Sequence, residues 1–267
     1  MTYHTSTHFD LRAIADSGQC FRIIETGEDT FELIHGGVAL CVEQAAPGEY
    51  RFDCDEDTFR RIWRPYFDLD TDYAAFAAAI PPEDAFLRAA AAYGRGVRIL
   101  RQDPWEMLVT FIVSQRKNIP AIRRAVETLC ERYGEPVPGG ARRAFPTPRA
   151  LAACGEDALR GCALGYRAGY VHAAARMVDS GALDLAALAR LDDAVLHAAL
   201  LAVPGVGPKV ASCVMLFGFH RVAAFPRDVW INRVIDCEYG GSFPVERYAG
   251  YAGVIQQYMF YYARAGE

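Results

Sequence analysis

The spacing of apolar residues along this chain changes near residue 58. Before it lie short β-branched and aromatic runs, CFRII (20–24), TFELIHG (30–36), VALCVEQ (38–44) and YRFDCD (50–55), separated by TGED, HGG and APGE. Such runs between turn-forming residues predict a small antiparallel sheet. Beyond residue 58 the apolar residues recur at helical spacing, first in the Ala-rich segments TDYAAFAAAI and EDAFLRAAAAYG. Asp103-Pro104-Trp105-Glu106 supplies an N-cap, a first-turn proline and a capping-box acid, which predicts a helix over WEMLVTFIVSQ. A second helix is expected from about Pro120 to Gly134. After the connection EPVPGGARRAFPTP, helical periodicity runs to the C-terminus, and no repeat of domain-building length interrupts it. The predicted class is α+β. A small N-terminal antiparallel β-subdomain (1–84) would pack on a mainly α-helical body (85–267).

The densest local signal in that body is LDDAVLHAALLAVPGVGPKVASCVMLFGF. A helix capped near Asp192 should reach Leu201, Val203 to Gly207 should turn, and Pro208 should open a helix that stops near Gly218. This is a helix-hairpin-helix over about 192–218. Gly205 and Gly207 allow close backbone approach, and the free amides opening the second helix suit a phosphate. Such a hairpin grips DNA without reading its sequence. A plain turn between two helices has the same local pattern.

Composition narrows the picture. A length of 267 residues and 52% hydrophobic content provide a buried core. Charges break every long apolar stretch, and MTYHTSTHFD has no signal-like region, so a soluble intracellular protein with no membrane association is expected. The eight cysteines form no CxxC pair, which favours reduced thiols over a zinc site or an iron-sulfur cluster. A net charge of −5 argues superficially against nucleic acid, but the charge is uneven. Residues 1–84 carry 6 arginines against 17 acids, whereas residues 85–267 carry 22 basic residues against 16 acids. The basic surplus therefore lies with the hairpin, although uneven solvated surface gives the same statistic.

The cations themselves are unusual, with 26 arginines and only two lysines, Lys117 and Lys209. An ammonium can lose its proton and a guanidinium cannot, so a retained lysine invites a chemical reason. For Lys117 alone, chance retention is the simpler reading. Lys209 falls in the first turn of the hairpin's second helix, where the helix dipole disfavours a cation and a neutral amine is the nucleophilic form. Nineteen residues on, Asp228 in FPRDVW opens another helix. The amine would attack C1′ of a deoxynucleotide and form a Schiff base, while the carboxylate would steady the cationic sugar. The plainer alternatives are a phosphate-contacting lysine and an ordinary N-cap aspartate.

SGQCFR (17–22), GVRILRQDPWE (96–106), FIVSQRKNI (111–119), LGYRAGYV (164–171), GVGPKVASCV (205–214), FPRDVW (225–230) and YAGVIQQYMF (251–260) together resemble the helix-hairpin-helix-GPD superfamily. Within it they are most similar to the 8-oxoguanine DNA glycosylases. The resemblance implies base flipping, with Lys209 and Asp228 as the catalytic pair of a glycosylase that also nicks the strand by β-elimination. It implies a damaged-base pocket of Gly18, Cys213, Gln256 and Phe260. The Gly18 carbonyl would accept the N7–H that 8-oxoguanine carries and guanine lacks. Cys213 and Phe260 would cover the two faces of the base, and Gln256 would bond its edge.

For the DNA itself the resemblance implies contacts from Tyr166, Arg167, Arg116, Asn118, Gly205, Gly207 and Trp230. Tyr166 would wedge into the emptied stack, and Arg167 would meet the orphaned cytosine. Three positions depart from the mammalian-type pattern. Arg116 and Lys117 stand where asparagines are found, Ala121 replaces an arginine that reads the opposite cytosine, and Trp230 replaces a phosphate-contacting histidine.

The expected partner is double-stranded DNA containing 8-oxoguanine. No metal and no cofactor are expected, with a monovalent cation at the hairpin carbonyls left open. A monomer, located in the cytoplasm with the nucleoid of a prokaryote, completes the expectation. A related glycosylase for other lesions and a non-catalytic DNA-binding module are the rivals. Cluster-bearing members should show four cysteines near the C-terminus, yet only Cys237 follows Cys213, and alkyl-base enzymes generally lack the hairpin lysine.

Overall fold

A computed structural model describes residues 1–4 and 8–265. Five strands form one antiparallel sheet in the order β1-β5-β4-β3-β2: β1 (Thr2–His4), β2 (Ile24–Gly27), β3 (Thr30–His35), β4 (Val38–Ala46) and β5 (Glu49–Phe52). Alternation sets the faces, with Leu40 and Val42 buried while Cys41 and Glu43 are exposed. The remainder is mainly helical, as the α+β reading anticipates.

The chain divides into two compact units that interleave in sequence. The first comprises Met1–Glu32, Cys41–Arg101 and His220–Glu267, and the second Leu33–Leu40 and Gln102–Phe219. In the first unit an aromatic cluster fills the core beneath the sheet. Phe9 meets Tyr50 edge-on at 4.8 Å and Phe67 at 5.3 Å, and Phe52 meets Phe59 at 4.9 Å. Helix Ala85–Tyr93 packs against the C-terminal helix Ala252–Arg264, which also carries Val229–Tyr239.

The strand expected at CFRII is absent, since β2 begins only at Ile24. Residues 20–23 are buried but irregular. Beside them the Gln19 amide bridges the backbone of residues 98–100 as a neighbouring strand would. Its Nε2 donates to Arg98 O at 2.8 Å, and its Oε1 accepts from Leu100 N at 2.9 Å. Strand β1, which no sequence pattern indicated, pairs with β5 at the sheet edge.

The second unit is built on helix Pro104–Ser114, capped by Asp103 Oδ1 on Glu106 N at 2.8 Å and buried from Trp105 to Val113 except at Glu106. Helix Ile119–Tyr133 follows, capped by Asn118. The hairpin helices Asp193–Leu201 and Pro208–Phe217 pack on each other, and the second also packs on Pro104–Ser114. Their limits are those the turn and cap residues predict. Among the described residues no helix is long and apolar enough to cross a membrane. No group of three or more His, Cys, Asp or Glu among them stands ready for a metal ion.

Candidate active site

In the second unit Gly205 shapes the hairpin turn. Its φ is +81°, and a Cβ there would lie 2.4 Å from the Tyr170 ring, so neither the conformation nor the space admits a side chain. Its carbonyl accepts Gln115 Nε2 at 3.0 Å. Gly207 is the extended N-cap of the next helix, and an added Cβ would meet nothing within 4 Å. That side of the turn is open to an outside partner.

Lys209 is half-buried in the following turn. Its Nζ lies 5.3 Å from the centre of the Phe111 ring, and Phe111 stacks on Phe217 at 5.5 Å. Cys213, buried, comes one helical turn after Lys209 on the same face. The hairpin thus presents an amine on an aromatic floor beside a small apolar thiol.

Two turns lie beside the hairpin in the same unit. The first presents Arg116, exposed and at φ +51°, ahead of Asn118, whose Oδ1 accepts Ala121 N at 2.9 Å. The second carries Tyr166, 53% exposed. Arg167 is not at the surface. It is 7% exposed, with Nε donating to Gln115 O at 2.8 Å, Nη1 to Leu164 O at 3.1 Å, and Nη2 also to Gln115 O. Its guanidinium stacks 4.4 Å from the centre of the Tyr166 ring.

The cause is local. The backbone leaves the helical path at Ala163 (φ 60°, ψ 25°) and Gly165 (φ 58°, ψ −133°), which strands carbonyls that need donors. Lys117 supplies one, its Nζ donating to Ala163 O at 2.8 Å.

In the first unit Gly18 sits at φ +79° in a tightly held loop. Ser17 Oγ donates to Ile14 O at 2.7 Å, Gln19 Nε2 donates to Ser17 Oγ at 2.9 Å, and Gln257 Nε2 donates to Ser17 O at 2.5 Å. The last bond ties this loop to the C-terminal helix, next to Gln256. Gln256 is 5% exposed, and its Oε1 has no hydrogen-bond partner among the described residues. Phe260, half-buried, follows one turn later on the same face and lies beneath the Arg264 guanidinium. Asp228 caps helix Val229–Tyr239 through Oδ1 on Ile231 N at 2.9 Å, and Trp230 is half-buried in that helix's first turn.

The first unit therefore gathers Gly18 and Gln256, with Phe260 adjoining, and carries Asp228 and Trp230. The second gathers Lys209, Cys213, Gly205, Gly207, Arg116, Asn118, Tyr166 and Arg167. Sequence reasoning missed the contributions of Phe111, Gln115 and Gln257, whose residue types signal nothing by themselves. For Lys117 a signal existed, its rarity.

A capped helix-hairpin-helix with a lysine in the second helix's first turn, followed by an acid that caps the next helix, defines a protein of the helix-hairpin-helix DNA repair class. Residues 2–108 match the profile of the 8-oxoguanine DNA glycosylase N-terminal domain, and residues 109–240 that of the HhH-GPD superfamily base excision DNA repair proteins. MBOgg1, solved with a low-affinity DNA ligand, is 33% identical and superposes with a TM-score of 0.93 over 100% of this chain and 96% of that one. The Clostridium acetobutylicum 8-oxoguanine glycosylase/lyase, solved with double-stranded DNA containing cytosine opposite 8-oxoguanine, is 31% identical, with a TM-score of 0.91 over 100% and 98% of the two chains. A probable N-glycosylase/DNA lyase of Methanothermobacter thermautotrophicus is 29% identical over 79% of this chain and 77% of its own length. The chain belongs to the 8-oxoguanine DNA glycosylase family of the HhH-GPD superfamily.

Proposed function

We propose that the protein is a bifunctional repair glycosylase that flips 8-oxoguanine out of duplex DNA, excises it through a Schiff base on Lys209, and then cuts the strand by β-elimination. The observation that carries this reading is Lys209 itself, placed in the first turn of the hairpin helix above Phe111 in a chain similar throughout its length to a glycosylase/lyase.

The Lys209 amine attacks C1′ as the glycosidic bond breaks, and the base leaves with the bonding electrons and takes up a proton. Loss of the amine proton and opening of the sugar ring give the iminium. Removal of a C2′ proton then expels the 3′ phosphate, and water releases the lysine. The Asp228 carboxylate steadies positive charge on the sugar while its Oδ1 holds the helix cap.

The orphaned Oε1 of Gln256 is a buried acceptor that a base edge would satisfy, and Phe260 and Cys213 supply apolar faces for the ring. The Gly18 carbonyl, in a loop tied down at Ser17 and Gln19, discriminates 8-oxoguanine from guanine through N7–H. Tyr166, Arg116, Asn118, Trp230 and the hairpin turn of Gly205 and Gly207, open on the Gly207 side, engage the duplex, while Arg167 supports Tyr166 from within.

This chemistry requires only an amine, a carboxylate and water, so we assign no cofactor. A monovalent cation at the hairpin would meet carbonyls of which that of Gly205 already accepts Gln115. The absence of a disulfide among the described residues suits a reducing compartment. We accordingly place the enzyme as a monomer in the cytoplasm, with the nucleoid of a prokaryote.

Borohydride trapping on a duplex with one 8-oxoguanine tests the reading. Wild type should give a covalent adduct and Lys209→Gln none. An adduct with Lys209→Gln, or none with wild type, overturns the mechanism.

A further inference from the structure

The second unit contains two non-glycine residues in the left-handed region, Arg116 at φ +51° and Ala163 at φ +60°. Such conformations cost about 1–3 kcal/mol each and persist only where the surroundings hold them. Here each holds the other's turn. Lys117, next to Arg116, donates from Nζ to the carbonyl of Ala163 at 2.8 Å. Beside that link, Arg167 donates to Gln115 O on one turn and Leu164 O on the other, and Lys117 N donates to Ser114 O at 3.1 Å. Gln115 Nε2 extends the connection to the hairpin at Gly205 O.

We propose that Lys117 is a positioning residue that fastens the Arg116 turn to the Tyr166 turn, so that these two exposed side chains enter the duplex as one rigid wedge. This inference rests on the glycosylase reading above and deepens it. It also answers why a chain with 26 arginines keeps a lysine here. The planar fork of Arg167 already occupies the Gln115 and Leu164 carbonyls, and Ala163 O accepts from the compact Lys117 ammonium rather than from a second fork.

The bond holds the ammonium close to a second cation. Desolvation, and then the nearby Arg167 guanidinium, push the Lys117 ammonium below its ordinary pKa. A lysine serving only as a phosphate anchor would gain nothing from that confinement. One that locks two DNA-facing turns gains a preorganised wedge, which matters most when a paired base must be forced from the stack.

The test is single-turnover release of 8-oxoguanine from two duplexes, one with cytosine opposite the lesion and one with an abasic analogue opposite it, where no pairing opposes extrusion. Lys117→Met and Lys117→Arg should each raise the ratio of unpaired to paired excision rates about tenfold over wild type, the loss expected for one charge-assisted hydrogen bond. The ratio is internal to each preparation, so loss of folded protein does not move it. A wild-type ratio in Lys117→Met removes the clamp, and a wild-type ratio in Lys117→Arg shows that only charge is needed; either result overturns the proposal. If wild type releases the base from neither duplex, the glycosylase reading falls and this inference with it.

Discussion

Lys209 Nζ lies 5.3 Å from the centre of the Phe111 ring, which stacks on Phe217 at 5.5 Å. The ring fixes where the amine sits, and it is the neutral amine that attacks. Phe111→Leu keeps most of the core volume and removes the face. Schiff-base formation, followed by trapping under single-turnover conditions, should slow about fivefold, the rate equivalent of about 1 kcal/mol of lost positioning. DNA affinity measured by anisotropy should stay within about twofold, because the substitution leaves Lys209 and the glycines of the hairpin turn in place. An equal loss in affinity and rate would make Phe111 a packing residue only.

Opposite-base selectivity should be weak. Ala121 stands where the resemblance leads one to expect a cytosine-reading arginine, and Arg167 spends its guanidinium on Gln115 O and Leu164 O. A bidentate guanidinium contact discriminates bases by about 1–3 kcal/mol, and neither position offers one. Excision opposite C, A, G and T should therefore fall within about tenfold of each other. Ala121→Arg should restore a preference for C. A strong preference for C in wild type would show that another residue reads the orphaned base.

Asp68 should govern acid stability. Burial alone would raise its pKa, but the His220 ring 3.5 Å from Oδ2 and the Arg101 guanidinium 2.9 Å from Oδ1 overcome that and hold the carboxyl at about 2. The folded value lies below the ordinary 3.8, so its stabilisation is complete above about pH 4 and is lost as the pH falls toward 2. The shift corresponds to about 2 kcal/mol. In urea unfolding, Asp68→Asn should be less stable than wild type by about that amount at pH 7, and the gap should close toward pH 2. A gap that does not change with pH would mean that the carboxylate's charge is not what stabilises the fold.

What could be read from the sequence were features whose causes are local. Asp192, Pro208 and Gly218 act on the backbone within a turn of themselves, so the hairpin's limits follow from them, as does the helix that Asn118 caps. At the CFRII segment the chain is irregular to Ile23, and the backbone of residues 98–100 is met instead by the Gln19 side chain, 79 and 81 positions away, which no local pattern reveals. The burial of Arg167 was equally hidden. It rests on Gln115 O, 52 residues away, and on Leu164 O beside the left-handed Ala163, a residue type that gives no hint of such a turn. The base pocket was legible only through resemblance, since a cysteine on a helix face and a Gln/Phe pair one turn apart look like ordinary core.

Gln256 sets stability against function. It is 5% exposed with its Oε1 unpartnered among the described residues, and a buried unsatisfied acceptor costs about 1–3 kcal/mol. Gln256→Leu removes that acceptor at similar volume and should raise Tm by about 2–4 °C, the shift expected for about 1 kcal/mol in a chain of this size. The same change removes the group that meets the base edge, and a site built to hydrogen-bond its substrate loses heavily without that partner. Excision measured as kcat/KM should fall at least about tenfold while the trapped adduct on a preformed abasic site falls less, because no base is read there. A variant that loses both Tm and excision would instead make Gln256 part of the structural core, and the unpartnered oxygen would need another explanation.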